Sequence, residues 1–147
     1  MRISWTICRR ALARVWFIGA GVLFAILLAQ TFGDRYGANA NAAWEWFLPT
    51  VLPTLSLIIG VLTVDALKQH AKLQTVDRFF FRLSLGLSVA YLLTVGVTLL
   101  AQPFTSFPAL ELMAQSNLWL GPFQGLVTAS LGVFFVGGKT GDSEPEA

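Results

Sequence analysis

The chain has 147 residues, 55% apolar and 12% charged, with ten basic residues, eight acidic ones and a net charge of +2. A soluble domain carries about a quarter of its residues as charge, so this composition belongs to a protein dissolved in lipid and excludes both disorder and nucleic-acid binding. One Cys and one His leave no disulfide framework and no protein-only zinc site, which takes about four ligands.

Crossing a ~30 Å hydrocarbon core takes about 20 mostly apolar residues. Four runs have about that length, at about 15–32, 46–67, 79–101 and 118–136, with Asp65 and Arg82 the charges within them, both close to the inner boundary. The predicted fold is an all-α membrane protein. One four-helix transmembrane domain covers 1–136, and a short flexible cytoplasmic tail rich in Gly and acid covers 137–147.

The charges predict the direction. Arg2, Arg9, Arg10 and Arg14 precede the first run, Lys68, Lys72, Arg78 and Arg82 surround the second connection, and Lys139 follows the fourth, while Arg35 alone falls on the other side. By the positive-inside rule both termini are cytoplasmic in an inner (plasma) membrane, with 33–45 and 102–117 outside. Tryptophan prefers the headgroup level, which assigns Trp5 and Trp16 to the inner boundary and Trp44, Trp46 and Trp119 to the outer one.

Taken in order, the first run has no polar side chain from Val15 to Ala29 and only a modest small stripe of Gly21, Ala25 and Ala29. That pattern predicts a peripheral helix against lipid. The Ala38-Asn39-Ala40 triplet resembles a secretory cleavage site, but it lies far beyond the end of the run, so the run is read as a retained span. Cys8 lies beside the membrane and is expected to be reduced.

In the second run Pro49, Pro53 and Gly60 share one face, with Thr50 and Thr54 beside them. Two prolines one turn apart remove two helix donors, so the outer end of this helix is expected to be kinked or locally unwound, either as a kink that improves packing or as a candidate hinge or set of free carbonyls lining a cavity. In the inner connection His70 is expected to be solvated. Arg78 and Arg82 share a face suited to anionic lipid headgroups or to pairing with Asp65.

The third run carries a polar stripe. At 100° per residue Ser84, Ser88, Tyr91, Thr94 and Thr98 fall within an arc of about 120°. Such a stripe faces either other helices or a water-lined path. In the loop that follows, Pro108 is expected to open a short interfacial helix carrying Leu110, Leu112 and Met113.

The fourth run aligns Gly121, Gly125, Thr128 and Gly132 in a small-residue groove flanked by Gln124 and Ala129. The groove suits close helix packing within the bundle or against a second subunit, and Gln124 needs a partner away from lipid.

Chemistry is missing from this pattern. No carboxylate or His stands at midplane, and no nucleophile with a base, paired carboxylates or phosphate-binding loop occurs. The expected protein is non-enzymatic and without a cofactor. It is expected to form a homo-oligomer in the lipid bilayer and to act as a pore, a membrane-perturbing effector or a sensor with a cytoplasmic protein partner. A small transporter of neutral or amphipathic molecules and a structural subunit of a larger membrane complex are the competing expectations.

Overall fold

In a computed structural model, residues 2–67, 75–101 and 106–135 are described. The expectations for Lys68, His70, Lys72, Lys139 and the tail therefore lie outside the described residues, as does the side chain of Asp65. Four helices carry the architecture: α1 (Trp5–Phe32), α2 (Ala40–Leu67), α3 (Arg78–Leu100) and α4 (Ala109–Phe135). Each is long and apolar enough to cross a membrane.

The all-helical expectation gains one addition. Strand β1 (Arg2–Ser4) pairs antiparallel with β2 (Thr75–Asp77), Ile3 opposite Val76. This ribbon joins the chain start to the entry of α3. Asp77 then caps that helix, its carboxylate accepting the Phe79 amide at 3.1 Å.

The helices are longer than the apolar runs, and two connections shrink accordingly. Residues 33–39 form the first, with a turn of 3-10 helix at Gly37–Asn39. Gly37 there has φ +51°, a conformation that suits glycine. The short helix expected at Pro108 is instead the first part of α4: the Pro108 carbonyl accepts the Leu112 amide at 3.1 Å and the helix runs unbroken to Phe135. Met113 and Ser116 are buried there, so the segment packs into the bundle and does not lie along the interface.

The principal packing pairs are α3 with α4, α1 with α3 and α2 with α4, closed by α1 against α2. Helices α2 and α3 are therefore the diagonal pair. Side chains alternate between a buried inner face and an outer face rich in exposed Leu, Val, Ile and Phe, the arrangement suited to a lipid solvent.

Helix α1 is not peripheral. Leu12, Trp16, Ala20, Leu23 and Leu27 form a buried stripe, and Gly19 lets it approach α3 closely, since a Cβ at 19 would stand 2.6 Å from Leu92 Cδ1. Gly96 serves the same contact from α3, where an added Cβ would meet Leu23 at 3.3 Å. The small residues Gly21, Ala25 and Ala29 face outward instead. Trp16 and Trp46, expected at the membrane boundaries, both have rings buried in the bundle.

Candidate functional site

The midplane of the bundle is organised by the two prolines of α2. A helical carbonyl normally accepts the amide four residues on, and for Pro49 that residue is Pro53, which has no N–H. The Pro49 carbonyl accepts instead from Gln124 Nε2 on α4 at 3.2 Å, and the same amide lies 3.2 Å from the Thr50 carbonyl. Tyr91 Oη on α3 donates to that Thr50 carbonyl at 2.9 Å. The carbonyls expected to be free are thus engaged by the two most polar side chains expected at midplane. Pro49, Pro53 and Gly60 themselves turn outward.

Tyr91 brings all four helices together. It is fully buried, its ring is 5.9 Å from that of Trp16 on α1 and 5.4 Å, edge-on, from that of Phe123 on α4, and its hydroxyl reaches α2 across the diagonal. Edge-on geometry is the favoured arrangement for such rings.

The rest of the polar stripe is turned inward as well. Ser84, Ser88 and Thr98 are buried and Thr94 half-buried. Thr94 and Thr98 donate to the carbonyls of Ala90 and Thr94, one turn back, at 2.8 and 2.9 Å, and Ser84 reaches the Ser130 carbonyl at 3.4 Å. Most hydroxyls of the stripe are thus engaged by backbone carbonyls. At its outer end a shallow groove of about 330 Å³ between α3 and α4 is lined by Leu93, Thr94, Val97, Thr98, Leu112 and Trp119.

Two further nodes, absent from the sequence reading, close the ends of the bundle. At one end Arg9 donates from Nε to the Phe134 carbonyl at 2.5 Å and from Nη2 to the Phe135 carbonyl at 3.4 Å. These are among the last carbonyls of α4, where a cation also complements the helix dipole. The guanidinium lies 5.3 Å from the Trp5 ring and 5.8 Å from the Phe135 ring. At the opposite end Gln30 Nε2 donates to the Leu99 carbonyl near the end of α3 at 3.3 Å, and Tyr36 Oη donates to Gln30 Oε1 at 2.5 Å. Burial pushes the Tyr36 phenol above its ordinary value, opposed by nearby Arg35. Helix α1 thus clasps α4 at one end and α3 at the other.

A further bond ties α2 to α4: Trp46 Nε1 donates to Ser116 Oγ at 3.0 Å, and that hydroxyl donates to the Met113 carbonyl at 2.6 Å. The polar start of α4, with Ser116 in it, was the signal that it belongs inside.

The expected glycine groove has a different place. Gln124 faces the bundle, but a Cβ added at Gly121, Gly125 or Gly132 would meet nothing within 4 Å. Gly121 and Gly125 are exposed, while Thr128 and Gly132 are intermediate. The groove is therefore not a packing surface within this chain. Arg78 and Arg82 are exposed on the first turns of α3, on the side opposite the buried hydroxyls. Cys8 is buried. Among the described residues no group of His, Cys, Asp and Glu is arranged to hold a metal ion.

Comparison of the chain with known protein families, with curated proteins and with solved structures gives no match.

Proposed function

We propose that this chain is a non-enzymatic, multi-pass subunit of the inner (plasma) membrane, both termini cytoplasmic, that acts by assembling laterally with copies of itself. The observation that carries this reading is the division of polar and small groups. The hydroxyls of α3 and Gln124 are engaged inside the bundle, whereas the glycines of α4 are left open on its outside. Small residues on a lipid-facing helix let backbones approach, and this is the main device for association where lipid removes the hydrophobic drive.

With Tyr91 filling the centre of the bundle, a conducting version of this function runs between copies and not through one. A sensor or effector version transmits assembly to a cytoplasmic protein partner through the end that carries β1, β2 and the Arg9 node.

The transporter reading keeps one specific support, the proline-interrupted α2 with its two externally engaged carbonyls. Liposome flux separates the two readings. The assembly subunit gives no saturable exchange of neutral solutes, and saturable, solute-specific exchange would favour the carrier.

The orientation is tested by labelling intact cells with a membrane-impermeant thiol reagent in a Cys8→Ser background. Cysteines at Ala40 and Ala109 react and a cysteine at Thr6, exposed at the start of α1, does not. The opposite pattern would invert the topology.

A further inference from the structure

One turn from the Tyr91 joint, on the side of Ser84, three buried polar atoms have no partner among the described residues: Trp16 Nε1, Thr54 Oγ1 and Ser88 Oγ. All three residues are 0% exposed. They come from α1, α2 and α3, and the known contacts place them in one layer. Tyr91 Oη meets the Thr50 carbonyl, and α2 and α3 run antiparallel. Thr54, four residues beyond Thr50, and Ser88, three before Tyr91, are therefore displaced in the same direction, by about 6 Å and 4.5 Å along the axis. Trp16 enters that region against the Tyr91 ring.

The neighbouring hydroxyls of these helices solve the same problem differently. Thr50, Thr94 and Thr98 donate to the carbonyl one turn back. For Thr54 that acceptor is the Thr50 carbonyl, which already receives Tyr91 and lies within reach of Gln124. Direct pairing between Thr54 and Ser88 is blocked by geometry as well. They sit on the diagonal helices, a separation that a tyrosine spans one turn away and two short hydroxyls do not.

We infer that Trp16, Thr54 and Ser88 form an internal binding site for an uncharged, water-sized hydrogen-bonding molecule, filled by water. The indole supplies one donor, and each hydroxyl supplies a donor and acceptor positions, which matches the two to four bonds that a buried water makes. The stretches of α1, α2 and α3 around these residues, 15–29, 46–64 and 83–100, carry no charged side chain, so the site suits a neutral guest. The inference does not depend on lateral assembly.

The test uses the full chain in bicelles with ¹⁵N-labelled indoles. Paired NOE and ROE spectra are recorded between water and the Trp16 indole proton, which is assigned by its loss in Trp16→Phe. The expected result is a direct dipolar cross-peak with the opposite NOE and ROE signs of proximity. That peak should be lost in the Thr54→Val/Ser88→Ala double variant. Absence of the cross-peak in the parent protein overturns the site.

Thermal unfolding gives a second readout of opposite sign. If the hydroxyls hold water, Thr54→Val and Ser88→Ala each lower the midpoint and their effects are less than additive. If the layer is dry, removing an unpaired buried hydroxyl raises the midpoint, which contradicts the inference.

Discussion

Pro53 and Gln124 are complementary: the proline withholds the amide that the Pro49 carbonyl would have accepted, and the glutamine on another helix supplies its replacement at 3.2 Å. This relationship makes a double-mutant cycle informative. Gln124→Leu leaves a carbonyl unpaired in an apolar setting and should destabilise the bundle by about 1–3 kcal/mol. In a Pro53→Ala background the backbone amide is restored, so the same substitution should cost markedly less. Unfolding in mixed micelles measures both, and equal costs in the two backgrounds would dissociate Gln124 from the proline.

Tyr91 tests the joint from the other side. Tyr91→Phe keeps the ring contacts with Trp16 and Phe123 and removes only the bond to Thr50, an expected loss of about 1–2 kcal/mol. Tyr91→Ala also opens a cavity where four helices meet and should cost about 3–5 kcal/mol. A near-zero effect of Tyr91→Phe would mean that the hydroxyl bond is not part of what holds α2 to α3.

Much of this joint was legible beforehand. The four spans follow from run length, the inward stripe from the 100° spacing of Ser84 to Thr98, and the need of Gln124 for a partner from its depth. What stayed hidden has one physical cause. In water an apolar face marks the core, but in lipid apolar residues serve the inside and the outside equally well. The stretch from Val15 to Ala29, with no polar side chain, therefore gave no sign that Trp16 and Leu23 are buried. Nothing local distinguished Gly19, which meets Leu92, from Gly125, which meets nothing. The bond from Trp46 to Ser116 was hidden for a related reason, since an amphipathic ring suits a headgroup region as well as a buried hydroxyl.

The α1 clasp yields a prediction at each end. Arg9→Gln removes the charge that complements the end of α4 and the stacking on Trp5 and Phe135, and should destabilise by about 1–2 kcal/mol. Arg9→Lys should recover only part of this, because an ammonium cannot reproduce the planar fork. Equal stability of Arg9→Lys and the parent, read from unfolding midpoints, would reduce the node to its charge alone.

At the other end the Tyr36 phenol donates to Gln30, and burial raises its folded-state pKa. A raised pKa means that its contribution is whole below the unfolded value of about 10 and is lost as pH rises through the folded value. Stability between pH 9 and 12 should therefore fall less steeply in Tyr36→Phe than in the parent. Identical alkaline profiles would remove Tyr36 from the clasp.

Lateral assembly through α4 is tested most directly by measuring oligomeric state and unfolding together for Gly125→Leu and Gly19→Leu. A side chain at 19 collides with Leu92, so Gly19→Leu should destabilise the single bundle by about 1–3 kcal/mol. A side chain at 125 meets open space, so Gly125→Leu should leave the unfolding midpoint of the bundle unchanged while converting the native oligomer in mild detergent to monomer. An oligomer that survives Gly125→Leu intact, or a parent that is monomeric in the membrane, would contradict assembly through this groove.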